Sequence, residues 1–138
     1  MLSSLRFPMT LVRVGSIMLI LTAFFHIYLG YPYVTKGMGD ANLDLGVSAD
    51  VKAVWIGFCL HLFFIAYLLL ANSRRGNFNK LIVMLCGLIV LTDGLLVRAF
   101  MSDKSLVAQS LQVSGLLILL GTYWCFMIPY MRRKAATS

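Results

Sequence analysis

Charge is what this sequence has least of. Of its 138 residues only 12% are charged, while 60% are hydrophobic. A soluble domain of this length carries about twice that charged fraction. A separate soluble domain is therefore excluded, and one membrane domain is expected. Acids are scarcest, five Asp+Glu against twelve Lys+Arg, for a net charge of +7. That excess does not mark a nucleic-acid partner. The basic residues form no patch on a polar surface; they cluster in short segments between apolar runs, as membrane topology requires. Cysteine offers no framework either. Cys59, Cys86 and Cys125 each stand alone in an apolar run, with no CxxC pair, and read as buried thiols. Strand-like alternation, internal repeats, low-complexity segments and a Gly-rich phosphate loop are all missing. Their absence removes β architectures, solenoids and P-loop nucleotide binding.

What is present is four apolar runs, at about residues 11–31, 53–71, 81–100 and 107–127. Twenty helical residues rise roughly 30 Å, the thickness of a bilayer's hydrocarbon core. The expected fold is all-α: an integral membrane antiparallel four-helix bundle occupying residues 1–138 as one transmembrane domain. The first run begins like a signal peptide. Arg13 interrupts it, however, and its exit, HIYLGYPY, carries no small-x-small cleavage site, so it is read as an uncleaved span. One of its faces carries Gly15, Leu19, Thr22, His26 and Gly30, three or four residues apart. Apart from Leu19 that stripe is small or polar, which suits contact with other helices.

Residues 32–52, PYVTKGMGDANLDLGVSADVK, form the longest polar segment and are expected as an outer loop. The run D-A-N-L-D-L-G resembles a calcium loop. Leu45 stands where that loop needs Gly, and Val51 takes the twelfth position in place of Glu. A turn-rich surface segment is the better reading.

Charge sets the orientation. Arg6, Arg13, Arg74, Arg75, Lys80, Arg132, Arg133 and Lys134 fall on one side with no acid. Lys36, Lys52, Arg98 and Lys104 face the other, with Asp40, Asp44, Asp50 and Asp103. The positive-inside rule then puts both termini in the cytoplasm, N-in and C-in, of a multi-pass protein in the cell's inner (plasma) membrane.

The acid out of place is Asp93, deep inside the third run. A carboxylate there costs a few kcal/mol or more unless it meets a partner or a proton. Counted from the expected span ends, His26, His61, Asp93 and Gln112 fall within roughly 5 Å of one depth, one on each helix. Arg98 lies above them and can reach down or snorkel outward. Each has a plain reading: the histidines as interhelical hydrogen-bond donors, Asp93 paired with Arg98 or a His, Arg98 as an interfacial anchor, Gln109 and Gln112 as bundle glue. Trp55, near the start of the second span, fits an aromatic belt. Together, His26, Trp55, His61, Asp93, Arg98 and Gln112 form the candidate ligand site. Its expected cavity opens outward beneath residues 32–52 and is lined by His26, Trp55, His61, Asp93 and Gln112.

No catalytic residue and no metal-ligand set is assigned. The leading reading is a non-catalytic membrane or accessory-subunit protein, in contact with the lipid bilayer and with a larger complex or another copy of itself, and not with nucleic acid. One alternative is a protein binding a quinone or another lipophilic molecule, or relaying protons, through His26, His61 and Asp93. A variant has His26 and His61 ligating a haem b. A third is a lipid-modifying membrane enzyme using the same groups.

The stretch from Asp50 to Ser105 resembles small four-span bacterial membrane proteins that are distantly DoxX-like. The carrying residues are Lys52-Ala53-Val54-Trp55-Ile56-Gly57, the basic turn Arg74-Arg75 and the Gly94-to-Arg98 exit of the third span. Asp50 stands two residues before Lys52 rather than beside it, and His26 and His61 are not part of the pattern. The resemblance implies architecture and no reaction.

Overall fold

A computed structural model describes residues 6–42, 44–74, 79–100 and 106–137, with side chains described except at 6, 74, 100 and 129–137. Helix α1 (Arg6–Phe25) passes through a five-residue π-helical turn, His26–Gly30, into α2 (Tyr31–Asp40). Then follow α3 (Leu45–Arg74), α4 (Lys80–Phe100) and α5 (Leu106–Thr137). No strand occurs among the described residues.

Four helical stretches are long and apolar enough to cross a membrane: Phe7–Asp40, Leu45–Ser73, Lys80–Ala99 and Leu106–Ile128. The chain is an all-helical, multi-pass membrane protein. Its outer faces agree, since Ile56, Leu60, Phe64, Leu85 and Leu116 are all exposed. A helix apolar on every side is at home in lipid.

The stretch 32–52 differs from the expected loop. Residues 31–40 and 45–52 are helical, and the described turn between them is Ala41–Asn42. Local chemistry explains both ends of the turn. Asn42 takes φ 53°, a left-handed conformation that Asn tolerates better than most residues and that commonly ends helices. Its N–H donates to Gly39 O at 3.1 Å, and that of Ala41 to Gly37 O at 3.0 Å. Asp44 then starts α3, its Oδ2 accepting from the Gly46 N–H at 3.2 Å. Asn79 opens α4 in the same way, accepting from the Ile82 N–H at 3.2 Å. Of the turns expected at 72–80 and 101–106, residues 72–74 are helical in α3, Lys80 starts α4 and Leu106 starts α5; residues 75–78 and 101–105 lie outside the described residues.

The helices outrun the expected spans. At about 1.5 Å per residue, the rod from Phe7 to Asp40 is roughly 50 Å long and α3 roughly 45 Å, against roughly 30 Å of hydrocarbon. The excess of both lies at the α2–α3 turn, so these two segments form a helical hairpin beyond the ends of α4 and α5.

Helix α1 packs on α3 and α5, and α5 packs on α4; the seam between α3 and α4 is sparser than these three. Leu19, Leu62, Leu69, Leu111 and Ile118 have no exposed surface. Backbones approach closely where side chains are missing. A Cβ on Gly115 would stand 2.8 Å from Leu91 N, and one on Gly121 2.7 Å from Pro8 O. Such small-residue contacts are how helices associate in lipid, where no hydrophobic drive separates helix from solvent. Polar links add register. Thr22 Oγ1 and Ser110 Oγ lie 2.9 Å apart between α1 and α5. Arg13 donates to Ser73 O at 2.8 Å and to Ser73 Oγ at 3.3 Å, meeting the end of α3. Lys80 Nζ stands 4.9 Å from the centre of the Phe126 ring.

Candidate functional site

The π-helical turn has a visible cause. Pro32 lacks an N–H, and its ring crowds the carbonyl one turn back, a strain that a wider turn before it relieves. The chain responds with a wider turn, in which the Tyr31 N–H bonds to His26 O. Turns of this kind often occur at functional sites. This one places His26 and Gly30 against α3.

Trp55 fills the contact. Its indole lies flat on the His26 imidazole, with centroids 3.9 Å apart and planes at 8°. Its Nε1–H donates to His26 O at 3.3 Å. Phe58 meets the same imidazole edge-on at 5.4 Å. Gly30 is what admits the indole, because a Cβ there would stand 2.6 Å from Trp55 Cζ2.

Two open-sided cavities flank this stack. One, of about 410 Å³, is lined by Asp50, Val51, Val54, Phe58 and Val97 together with His26 and Trp55. The other, of about 710 Å³, adds Thr22, Tyr33, Val107 and Ser110 to the same pair, among apolar neighbours from α1 and the turn. His26 is only 6% exposed. Among the described residues its ring nitrogens have no hydrogen-bond partner, and its main-chain oxygen accepts from Trp55 and Tyr31. A buried imidazole carries a donor and an acceptor that normally find partners. His26 lacks them beside open space.

The other candidates form a separate layer. His61 Nε2 lies 3.3 Å from Asp93 Oδ2 across the α3–α4 seam, with the His61 side chain 42% exposed and that of Asp93 20%. The separation suits an ion pair, but the alignment falls short of a hydrogen bond, and Asp93 Oδ2 is buried with no hydrogen-bond partner among the described residues. Gln112 Nε2 donates to Gly94 O at 3.3 Å, holding α5 to α4, so it acts as bundle glue. Arg98 is exposed in the last turn of α4. Gln109 is exposed as well.

The shared depth expected of the four groups is therefore split. Trp55, level with His26, precedes His61 by six residues on α3, roughly 9 Å along the helix. The expected span ends set His26 and His61 about three residues apart in depth, whereas the stack on Trp55 sets them six apart. His26 and Trp55 line both cavities; His61, Asp93 and Gln112 line neither. The two histidines face different spaces, so the arrangement does not fit a haem held by both rings. No cluster of three or more His, Cys, Asp or Glu suited to a metal ion occurs among the described residues.

Ser110 was not singled out by the sequence. Its signal is the small-residue face Ser110, Ser114, Gly121 on α5, which mirrors the stripe on α1. Phe58 and Tyr33 gave no signal beyond their apolar or loop-like surroundings. Fold and composition define a multi-pass helical membrane protein. Comparisons with protein-family models, with curated proteins and with solved structures return no match.

Proposed function

We propose that this chain is a non-catalytic inner-membrane protein that holds a lipophilic molecule beside His26 and Trp55. The observation that carries the reading is His26, 6% exposed, without a ring partner among the described residues, and facing two apolar cavities. Ligand pockets of several hundred Å³ with apolar walls and a few convergent polar groups are the usual form of small-molecule sites. A molecule whose polar group meets the imidazole would supply its missing hydrogen bonds, and its apolar body would follow the cavity walls.

The reading includes topology. The bundle is antiparallel, with both termini cytoplasmic and the α2–α3 hairpin outside. Facing pairs run in opposite directions along the chain, Pro8 with Gly121, Gly15 with Ile118 and Thr22 with Ser110, and the acid-free segments all fall at the other end. The DoxX-like resemblance remains a proposal of architecture within this reading.

A second reading rests on the His61–Asp93 pair, whose His61 side chain is 42% exposed. A polar pair at a helix seam in hydrocarbon is costly to leave facing lipid. A partner helix over the α3–α4 seam, in an accessory subunit or a homo-oligomer, would cover it.

The binding reading is tested with Trp124→Phe, which leaves Trp55 as the sole indole. In phosphatidylcholine nanodiscs a brominated long-chain alcohol should quench Trp55 saturably, and Val107→Phe, which fills the larger cavity, should abolish saturation. Quenching that rises linearly with added probe in both proteins would contradict it.

A further inference from the structure

We infer that the ligand of the larger cavity is an uncharged lipid alcohol, its hydroxyl seated between His26 and the Thr22–Ser110 pair. This rests on the binding reading above and names the headgroup that site takes.

Thr22 Oγ1 donates to Met18 O at 2.8 Å, and Ser110 Oγ donates to Val107 O at 3.0 Å. The two oxygens also lie 2.9 Å from each other. Each hydroxyl owns one hydrogen and two lone pairs. Three contacts therefore share two hydrogens, and what is left over is lone pairs. The Thr22–Ser110 pair offers acceptors to the cavity and no donor. His26, at the start of the π-helical turn and one helical turn on from Thr22, offers one acceptor and one donor. The site as a whole needs a ligand that gives a hydrogen and can also take one.

Charge narrows the class. Among the described residues, no charged side chain lines the larger cavity. Among these residues an anionic headgroup would meet no cation and a cationic one no anion, and burying an unpaired charge is prohibitive. Ethers, esters and ketones only accept, so they satisfy His26 alone. A hydroxyl is the smallest neutral group that does both. The remaining wall, including Met18, Leu21, Phe25 and Leu29, suits a hydrocarbon tail. The position also fits. The site lies toward the hairpin end of the bundle, where an alcohol's head would sit near the interface and its tail would run into the membrane.

The test is displacement of the brominated alcohol from the Trp124→Phe protein by three isoprenoids of one tail: farnesol, its methyl ether and farnesoic acid. Farnesol should displace the probe, the ether about tenfold more weakly for want of its donated hydrogen bond, and the carboxylate weakest of the three. Ser110→Ala and, separately, His26→Phe should bring farnesol toward the ether's level, with thermal unfolding in detergent showing that each variant is folded. If probe and isoprenoids bind but the ether or the acid matches farnesol, the headgroup assignment is overturned while the binding site stands. If neither probe nor isoprenoid binds, both fall.

Discussion

Trp55 lies so close to Gly30 that a Cβ on the glycine would stand 2.6 Å from the indole ring. The stack on His26 depends on that missing atom. Gly30→Ala should push the indole off the imidazole and cost about 1–3 kcal/mol, as overpacking does. Thermal unfolding in detergent measures the cost, and Trp55 emission in the Trp124→Phe background reports the displacement. Unchanged melting and emission would show that the contact yields freely.

Gly115 should be less forgiving than Gly57. A Cβ on Gly115 meets the Leu91 backbone, N at 2.8 Å and Cα at 2.9 Å, whereas one on Gly57 meets nothing within 4 Å. Backbone cannot rotate aside. Gly115→Ala should destabilise by about 1–3 kcal/mol, while Gly57→Ala should be neutral or stabilising by up to about 1 kcal/mol through helix propensity. Equal melting temperatures for the two variants would contradict the packing of α4 on α5.

His61 and Asp93 should behave as a unit. His61→Leu alone leaves a carboxylate whose Oδ2 already has no hydrogen bond among the described residues, so it should be the worse of the two single changes. Asp93→Leu should leave the protein folded, because removing both the charge and its hydrogen-bonding need can be nearly neutral. The double variant should recover much of the His61→Leu loss, with a coupling of about 0.5–3 kcal/mol in a double-mutant cycle. Strict additivity would mean that the 3.3 Å approach contributes nothing.

Topology is open to reporter fusions. A reporter that is active only in the cytoplasm should be silent after residue 42 and active after residue 76. Activity at residue 42 would reverse the orientation.

Much of the architecture was legible because bilayer thickness dictates it. Four apolar runs of the right length specify four helices, and the positions of the runs carry over into α1, α3, α4 and α5. The stripe Gly15, Leu19, Thr22, His26, Gly30 was also readable. Gly15 faces Ile118, Leu19 is fully buried, Thr22 meets Ser110, and His26 and Gly30 meet Trp55. The hairpin was not readable, because Pro32, three glycines and the scattered acids between 32 and 52 look like turns. Helices that continue past the membrane are held by their neighbours rather than by propensity. The relative depth of His26 and His61 was not readable either, because it is set by the stack of Trp55 on His26 and not by distance from the span ends. The pairing of Asp93 with His61 instead of Arg98 depended on which faces of α3 and α4 meet, and hydropathy on helices apolar all round does not encode that.

The most direct test of the account is photolabelling with a diazirine-bearing farnesol analogue in nanodiscs, followed by peptide mapping. The account predicts labels concentrated at the walls of the cavities beside His26, within residues 18–33, 51–58 and 106–110, competed away by excess farnesol and reduced in Val107→Phe. Labels spread evenly over lipid-facing positions such as Leu60, Leu85 and Leu116, untouched by competitor, would contradict it.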